Sequence, residues 1–194
     1  QKACWYGLNN IGWNAAKQLQ GKELSYNNLL DLESALSTIL EFEYDQNKNS
    51  SNNINAAVIL KHNNPCGAAL SDSPSDAFRK ALDCDSTSAF GGIVAFNNNV
   101  DLAAAELLSN IFLECVVAPS FDKDALEILK NKKNLRLLQI NNENINVDNK
   151  STIKSILGGV LEQDLDNEID QLNEWSYITE TKPSTEEFND LRFS

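Results

Sequence analysis

The apolar residues Leu29, Leu32, Leu36, Ile39 and Leu40 recur at three- and four-residue spacing, with Asp31, Glu33 and Glu41 in the gaps. That period predicts an amphipathic helix over residues 29–42. Residues 45–55 follow, an Asn/Ser-rich stretch with almost nothing to bury, expected as an exposed connection that carries no chemistry. Residues 56–60 are a continuous apolar run around Val58 and Ile59, the pattern of a strand buried on both faces. Asn63, Asn64, Pro65 and Gly67 read as turn residues that interrupt it. A helix should then open near Ser73, whose hydroxyl can cap free amides, with Pro74 in the first helical position and Ala77, Phe78, Ala81 and Leu82 along one face.

The alternation continues with a strand at 93–96, a helix at 102–112, a strand at 115–118, a helix at 123–132 and a strand at 135–140. Strands that alternate with helices of this length imply crossovers, and so an α/β fold with a mostly parallel sheet covered by helices on both faces. After Asn141 the pattern loosens, with a Gly158-Gly159 pair inside an apolar segment at 156–161. Residues 174–179 read as another strand. Residues 183–191 read as the start of a helix, with Ser184 or Thr185 able to cap and Glu186 and Glu187 in the first turn.

At 194 residues the chain can bury one substantial core. Its 42% apolar and 23% charged residues are ordinary for a globular domain, and no run approaches the roughly 18–20 apolar residues of a membrane span. A net charge of −12 argues against a nucleic-acid groove, which needs clustered cations. It leaves room for a small anion held by a few amides and one or two cations. Cys4, Cys66, Cys84 and Cys115 lack the spacing of a disulfide scaffold, so a reducing cytoplasm is expected. The chain has no methionine, begins at Gln1 and stops within a helix-like segment, which suggests a piece of a longer protein.

Ligands of open parallel sheets bind beyond the carboxyl ends of strands, which selects the loops at 61–67, 85–92 and 119–122, the second only if the chain folds back. The first places a cation (Lys61), the single histidine (His62), two amides and a rigid Pro65 turn directly after a buried strand. Histidine can take and give a proton near neutrality, and an adjacent ammonium can stabilise developing negative charge. The plainer alternative is a solvated lysine and a turn histidine bonded to backbone.

A metal reading also competes. His62, Cys66 and Cys84 are zinc ligand types, and Pro65-Cys66 resembles half of the Pro-Cys-x-x-Cys of zinc deaminases. Ala69 stands where the second cysteine belongs and no His-x-Glu precedes it, so no metal is expected. Cys66 has only His62 as a candidate base and no orienting third group, which favours packing over nucleophilic work. The stretch 85–92 combines hydroxyls with Gly91 and Gly92, where a ligand could approach backbone, or it is simply a turn before a strand. Glu114 could accept from a substrate amide or amine, or be a solvated carboxylate at a strand start.

These residues resemble a known family. Lys61-His62-x-Asn64-Pro65-Cys66-Gly67 is similar to the Lys-His-x-Asn-Pro-Cys-Gly signature of the AICAR transformylase domain of the AICAR formyltransferase/IMP cyclohydrolase enzymes of purine biosynthesis. Four segments agree in the same order. They are residues 18–27, Asp85 with 87–92, Glu114 with 116–119, and Gly158-Gly159 with Leu161, Gln163 and Asp166. Ser86 replaces a usual proline, and 45–55 looks like an insertion.

The resemblance implies a fold of two similar α/β subdomains, each like cytidine deaminase but without zinc. Residues 1–165 would form the first, and 166–194 would lead into the second. It also implies formyl transfer from 10-formyltetrahydrofolate, as co-substrate, to the amino group of aminoimidazole carboxamide ribotide (AICAR). By position His62 would shuttle the proton of the attacking amine, and Lys61 would stabilise the oxyanion or assist the leaving nitrogen. Asn64, Gly91 and Glu114 would bind or line the site of AICAR. The full-length enzyme would be a homodimer in the cytoplasm, with no nucleic-acid or membrane partner. A noncatalytic ribotide-binding or scaffold module of the same fold is the alternative. The family's Arg-Tyr-Gly-x-Asn-Pro-His segment would end just before Gln1, and its Lys-Ser-Asn segment and much of the folate pocket would lie beyond Ser194. The isolated chain is therefore expected to be inactive.

Overall fold

The computed structural model describes residues 2–7, 11–46, 54–145, 151–166 and 175–193. The chain divides into two compact units, Gln1–Val147 and Asp148–Ser194. Of the expected insertion, residues 47–53 lie outside the described residues. Among the described residues no helix is long and apolar enough to cross a membrane.

The first unit is built on six strands, β1 (Lys17–Gln20), β2 (Asn55–Lys61), β3 (Asn64–Ser71), β4 (Gly92–Phe96), β5 (Leu113–Ala118) and β6 (Arg136–Gln139). They lie in the order β1-β6-β5-β4-β2-β3. Its helices are α1 (Tyr26–Gln46), α2 (Pro74–Cys84), α3 (Ser86–Ala89), α4 (Leu102–Ser109), α5 (Lys123–Leu129) and α6 (Asn142–Ile145). β2 alternates between two cores, as a strand buried on both faces must. Ala57 and Ile59 join Phe78 of α2, Leu108 of α4 and Leu129 of α5. Ala56, Val58 and Leu60 join Leu32, Leu36 and Ile39 of α1. Helices thus cover both faces of an α/β sheet, and each large aliphatic side chain taken out of water contributes about 1.5–3 kcal/mol.

Strand directions decide where the chemistry can gather. β4 runs parallel to β5 and β5 to β6, whereas β2 runs antiparallel to β4, β3 to β2, and β1 to β6. β3, β4, β5 and β6 therefore point one way and β1 and β2 the other, a sheet mostly parallel in direction. The carboxyl end of β2 consequently lies at the amino ends of β4 and β5, where Leu60 is opposite Ile93 and Gly92 is opposite Leu113.

The helix starts follow their caps. The Ser73 hydroxyl accepts from the Asp76 amide at 3.1 Å with Pro74 next in line, and Asp101 caps α4 through the Ala104 amide at 2.8 Å. The sequence missed β3, because Asn63, Asn64, Pro65 and Gly67 look like an open turn. Only two of the four residues from Lys61 to Asn64 turn: His62 and Asn63 have φ of 55° and 61°, the two positive values of a tight hairpin loop, while Lys61 pairs with Asn64. Pro65 then sits in an edge strand, where its missing N–H is tolerated. The pairing steps from Ile59↔Gly67 to Leu60↔Pro65 and leaves Cys66 as the extra residue of a bulge.

The second unit contains a hairpin of β7 (Ser151–Ile156) and β8 (Gly159–Asp164), turned at Leu157 and Gly158, where φ is 76°. It also contains α7 (Thr185–Phe193), capped reciprocally by Ser184 and Glu187. The strand expected over 174–179 is not formed by its described residues. Residues 175–178 have no regular structure, and the Trp175 and Tyr177 rings pack against Phe188 of α7 at 6.1 and 6.5 Å. Their alternation is satisfied by one helix face, and among the described residues no strand pairs with them.

Candidate functional site

Lys61, the last residue of β2, is half-buried and its ammonium donates to the Phe90 carbonyl at 2.8 Å. Phe90 is the C-cap of α3, a single turn whose N-cap is Asp85. The Asp85 carboxylate accepts from the Ser88 amide at 2.9 Å and the Ser88 hydroxyl at 2.6 Å, and these bonds hold its carboxyl below the ordinary carboxylate value. Gly91 follows with φ of 75°, a conformation that favours glycine, and its amide donates to the Phe112 carbonyl at 2.8 Å. A Cβ on Gly92 would stand 2.8 Å from the Leu60 carbonyl and 3.0 Å from that of Ala89, so β2 and β4 approach each other as closely as they do only because this residue is glycine. The exposed rings of Phe90 and Phe112 lie 5.2 Å apart over this junction.

Glu114 is the second residue of β5. Gly92 is opposite Leu113 and Ile93 opposite Cys115, which makes Glu114 the extra residue of a bulge, a device that re-aims a side chain. Its carboxylate is not the lone solvated acid of the plainer reading. Oε2 accepts from Arg136 Nη1 at 2.8 Å, while Arg136 Nε donates to the Glu23 carbonyl at 3.0 Å. The Arg136 side chain is 12% exposed and that of Glu114 38%, so the pair is partly sheltered with the acid on the open side.

His62 sits exposed at the tip of the β2–β3 hairpin, and among the described residues its imidazole has no hydrogen-bond partner. The hairpin itself is well held. The Asn63 amide donates to Asp31 Oδ1 of α1 at 2.8 Å, and the Asn64 side-chain amide donates to the His62 carbonyl at 2.8 Å. Asn64 thus shapes the turn. Lys61 and Gly91 are joined through Phe90, Glu114 lies at the start of the neighbouring strand, and His62 and Asn64 project from the same end of the sheet.

The loop at 119–122 is not part of this grouping. It follows the carboxyl end of β5, the opposite end of the sheet, because β2 runs against β4 and β5. The carboxyl-end rule applied to all three loops therefore fails for one of them, and the gathered residues sit at the amino ends of the parallel strands. At the far end a shallow apolar hollow lies between Leu36, Ile39, Phe96, Ala118, Pro119 and Ile140, with no titratable group in its lining.

Cys66 donates to the Ile59 carbonyl at 3.4 Å and burial pushes its thiol up, while Cys84 donates to the Lys80 carbonyl. Burial drives Cys115 up to about 12. Among the described residues no three His, Cys, Asp or Glu side chains converge as metal ligands. Sequence reasoning missed Arg136 and Asp31, the side chains that hold Glu114 and the hairpin. Arg136 carried one usable signal, its place at the amino end of β6, the strand that follows β5.

Residues 1–194 match the AICARFT/IMPCHase bienzyme family. The chain is 61% identical over 194 residues to the bifunctional purine biosynthesis protein PurH of Prochlorococcus marinus strain MIT 9515, covering 100% of this chain and 38% of that protein. The same identity and coverage hold for PurH of Prochlorococcus marinus subsp. pastoris strain CCMP1986 / NIES-2087 / MED4. The chain thus spans 38% of the length of these curated relatives. Among solved structures it is similar to Acinetobacter baumannii RibD, form 1, with a TM-score of 0.44 and 17% identity over 56% of this chain and 35% of that one.

Proposed function

The chain belongs to the AICARFT/IMPCHase bienzyme family, and we propose that its 194 residues form the ribotide-facing part of the formyltransferase half of that purine-biosynthesis enzyme. In this reading 1–165 make the first subdomain and 166–194 the connection onward. The reaction joins the amino nitrogen of AICAR to the formyl carbon of 10-formyltetrahydrofolate, breaks the bond from that carbon to the folate nitrogen, and moves one proton from the amine to the departing nitrogen. His62 takes the amine proton and passes it on, a task suited to an imidazole at neutral pH. Lys61 places its ammonium where the formyl oxygen gathers negative charge. Glu114 accepts from the ribotide, and Gly91 lets it approach the backbone.

The observation that carries the reading is the bond from the Lys61 ammonium to the Phe90 carbonyl, which seats the lysine-histidine hairpin against the Gly91 loop, one strand away from Glu114. A lysine merely solvated at a strand end would not be tied there. Holding amine and formyl carbon together dominates such a transfer, so the isolated chain, with walls of the site supplied elsewhere, is inactive. The full-length enzyme works in the cytoplasm as a homodimer on small molecules, with no metal held by this segment. The test is formyl transfer by the full-length protein with His62→Ala. A fall in kcat of at least about 100-fold, the usual scale of general acid–base catalysis, is expected. Turnover within a few-fold of wild type would refute the proton-transfer role of His62 and favour a ribotide-binding role without catalysis for this segment of the enzyme.

A further inference from the structure

Glu114 could act on a ligand only if its carboxylate is both aimed and kept from its strand neighbours. Its backbone gives it direction through the bulge in β5, but a bulge alone leaves the side-chain torsions free. Arg136 removes that freedom. Its guanidinium is fixed at two points, Nε on the Glu23 carbonyl at 3.0 Å and Nη1 on Glu114 Oε2 at 2.8 Å. Arg136 is opposite Cys115 in the parallel pairing of β5 and β6, so the tether runs between adjacent strand starts. Among the described residues Glu114 Oε1 takes no protein donor, and the acid is the more exposed partner.

We propose that Arg136 is a positioning residue for ribotide binding: it occupies one oxygen of Glu114, turns the other toward the ligand, and through Glu23 locks the loop after β1 to the same carboxylate. This rests on the assignment of Glu114 to the ribotide. A planar guanidinium can span two acceptors with fixed geometry, which an ammonium cannot. The ligand group that suits the free oxygen is a neutral N–H donor, such as the carboxamide or amine of the ribotide. A second anion there would face the carboxylate, which excludes the phosphate as its partner.

The experiment is steady-state kinetics of the full-length enzyme with Arg136→Gln, Arg136→Lys, Glu114→Gln and the double variant Arg136→Gln/Glu114→Gln, with the thermal midpoint of each. Loss of a bond to a charged group predicts that Arg136→Gln raises the KM for the ribotide about tenfold or more. The KM for the folate should stay within twofold of wild type, and Arg136→Lys should restore part of the loss. In the Glu114→Gln background, Arg136→Gln should add little. Equal and additive effects on both substrates would make Arg136 a structural strut and overturn the proposal. If Arg136→Gln does not fold, Arg136→Lys alone still decides, since a ribotide KM identical to wild type refutes a two-point tether. An unchanged ribotide KM in Glu114→Gln would instead refute the assignment of Glu114. An altered one with Arg136→Gln silent refutes only the inference.

Discussion

Gly92→Ala tests the closest approach in the candidate site. The added Cβ would lie 2.8 Å from the Leu60 carbonyl and 3.0 Å from the Ala89 carbonyl, both backbone atoms that cannot swing aside. Leu60 precedes Lys61 and is opposite Ile93, so relief must come from parting β2 and β4 or from shifting the end of α3. Overpacking of this kind costs about 1–3 kcal/mol. Gly91→Ala is the control: its Cβ would meet only ring carbons of Phe112 at 3.6 and 3.7 Å, and its cost is the left-handed φ of 75°, about 1–2 kcal/mol and local to the loop. Amide hydrogen exchange of the full-length protein, followed by mass spectrometry, separates them. Gly92→Ala should speed exchange in peptides covering 55–61 and 92–96 about 5- to 150-fold, the rate equivalent of that energy. Gly91→Ala should speed exchange chiefly in the peptide covering 85–91, and in those strands by no more than its own loss of global stability measured in urea. A displacement of about 1 Å at Lys61 would also reduce kcat/KM about 100-fold. Wild-type exchange and turnover in Gly92→Ala would refute the claim that this contact sets the position of Lys61.

Ser73→Ala removes the cap of α2 and should cost about 1 kcal/mol, read as faster exchange in the peptide covering 74–84. Asn97→Ala takes away the acceptor that the buried Ala56 amide uses at 2.7 Å and the donor to the Ile54 carbonyl, and should destabilise by about 1–3 kcal/mol in urea unfolding. The Asp85 carboxyl is depressed by its bonds to Ser88, so the stability it lends is present above the unfolded value near 3.9 and disappears as pH falls through the lower folded value. Asp85→Asn should therefore flatten the acid side of the stability profile. Exposed Cys84 should be alkylated in the native protein at pH 8, whereas Cys115, buried and raised to about 12, should react only after unfolding, as peptide mapping would show.

The α/β alternation was legible because its periods are long and its strands continuous. α1, β2, α2 and β4 through β6 follow from Leu32, Val58, Phe78, Ile93, Val116 and Leu137, each buried where its pattern placed it. β3 was hidden because its residues look like a turn, and only the pairing of Lys61 with Asn64 reveals a two-residue loop. Strand direction was equally hidden. That unseen hairpin reverses β3 alone, but the antiparallel contact of β2 with β4 is a tertiary choice, and it puts Lys61 and Gly91 at the amino ends of the parallel strands. Lys61, Gly91 and Glu114 could be proposed from the sequence as candidates, whereas Arg136 and Asp31, which hold Glu114 and the hairpin, could not, since they act through partners 22 and 32 positions away.

The lysine-histidine hairpin, Gly91 and Glu114 should border one ribotide pocket. A crystal structure of the full-length enzyme with AICAR bound tests this most directly. The aminoimidazole carboxamide should lie within hydrogen-bonding distance of Glu114 Oε1, with the His62 ring turned toward its amine. Ribotide bound at the opposite end of the sheet, beside Pro119 and Ile140, would contradict it.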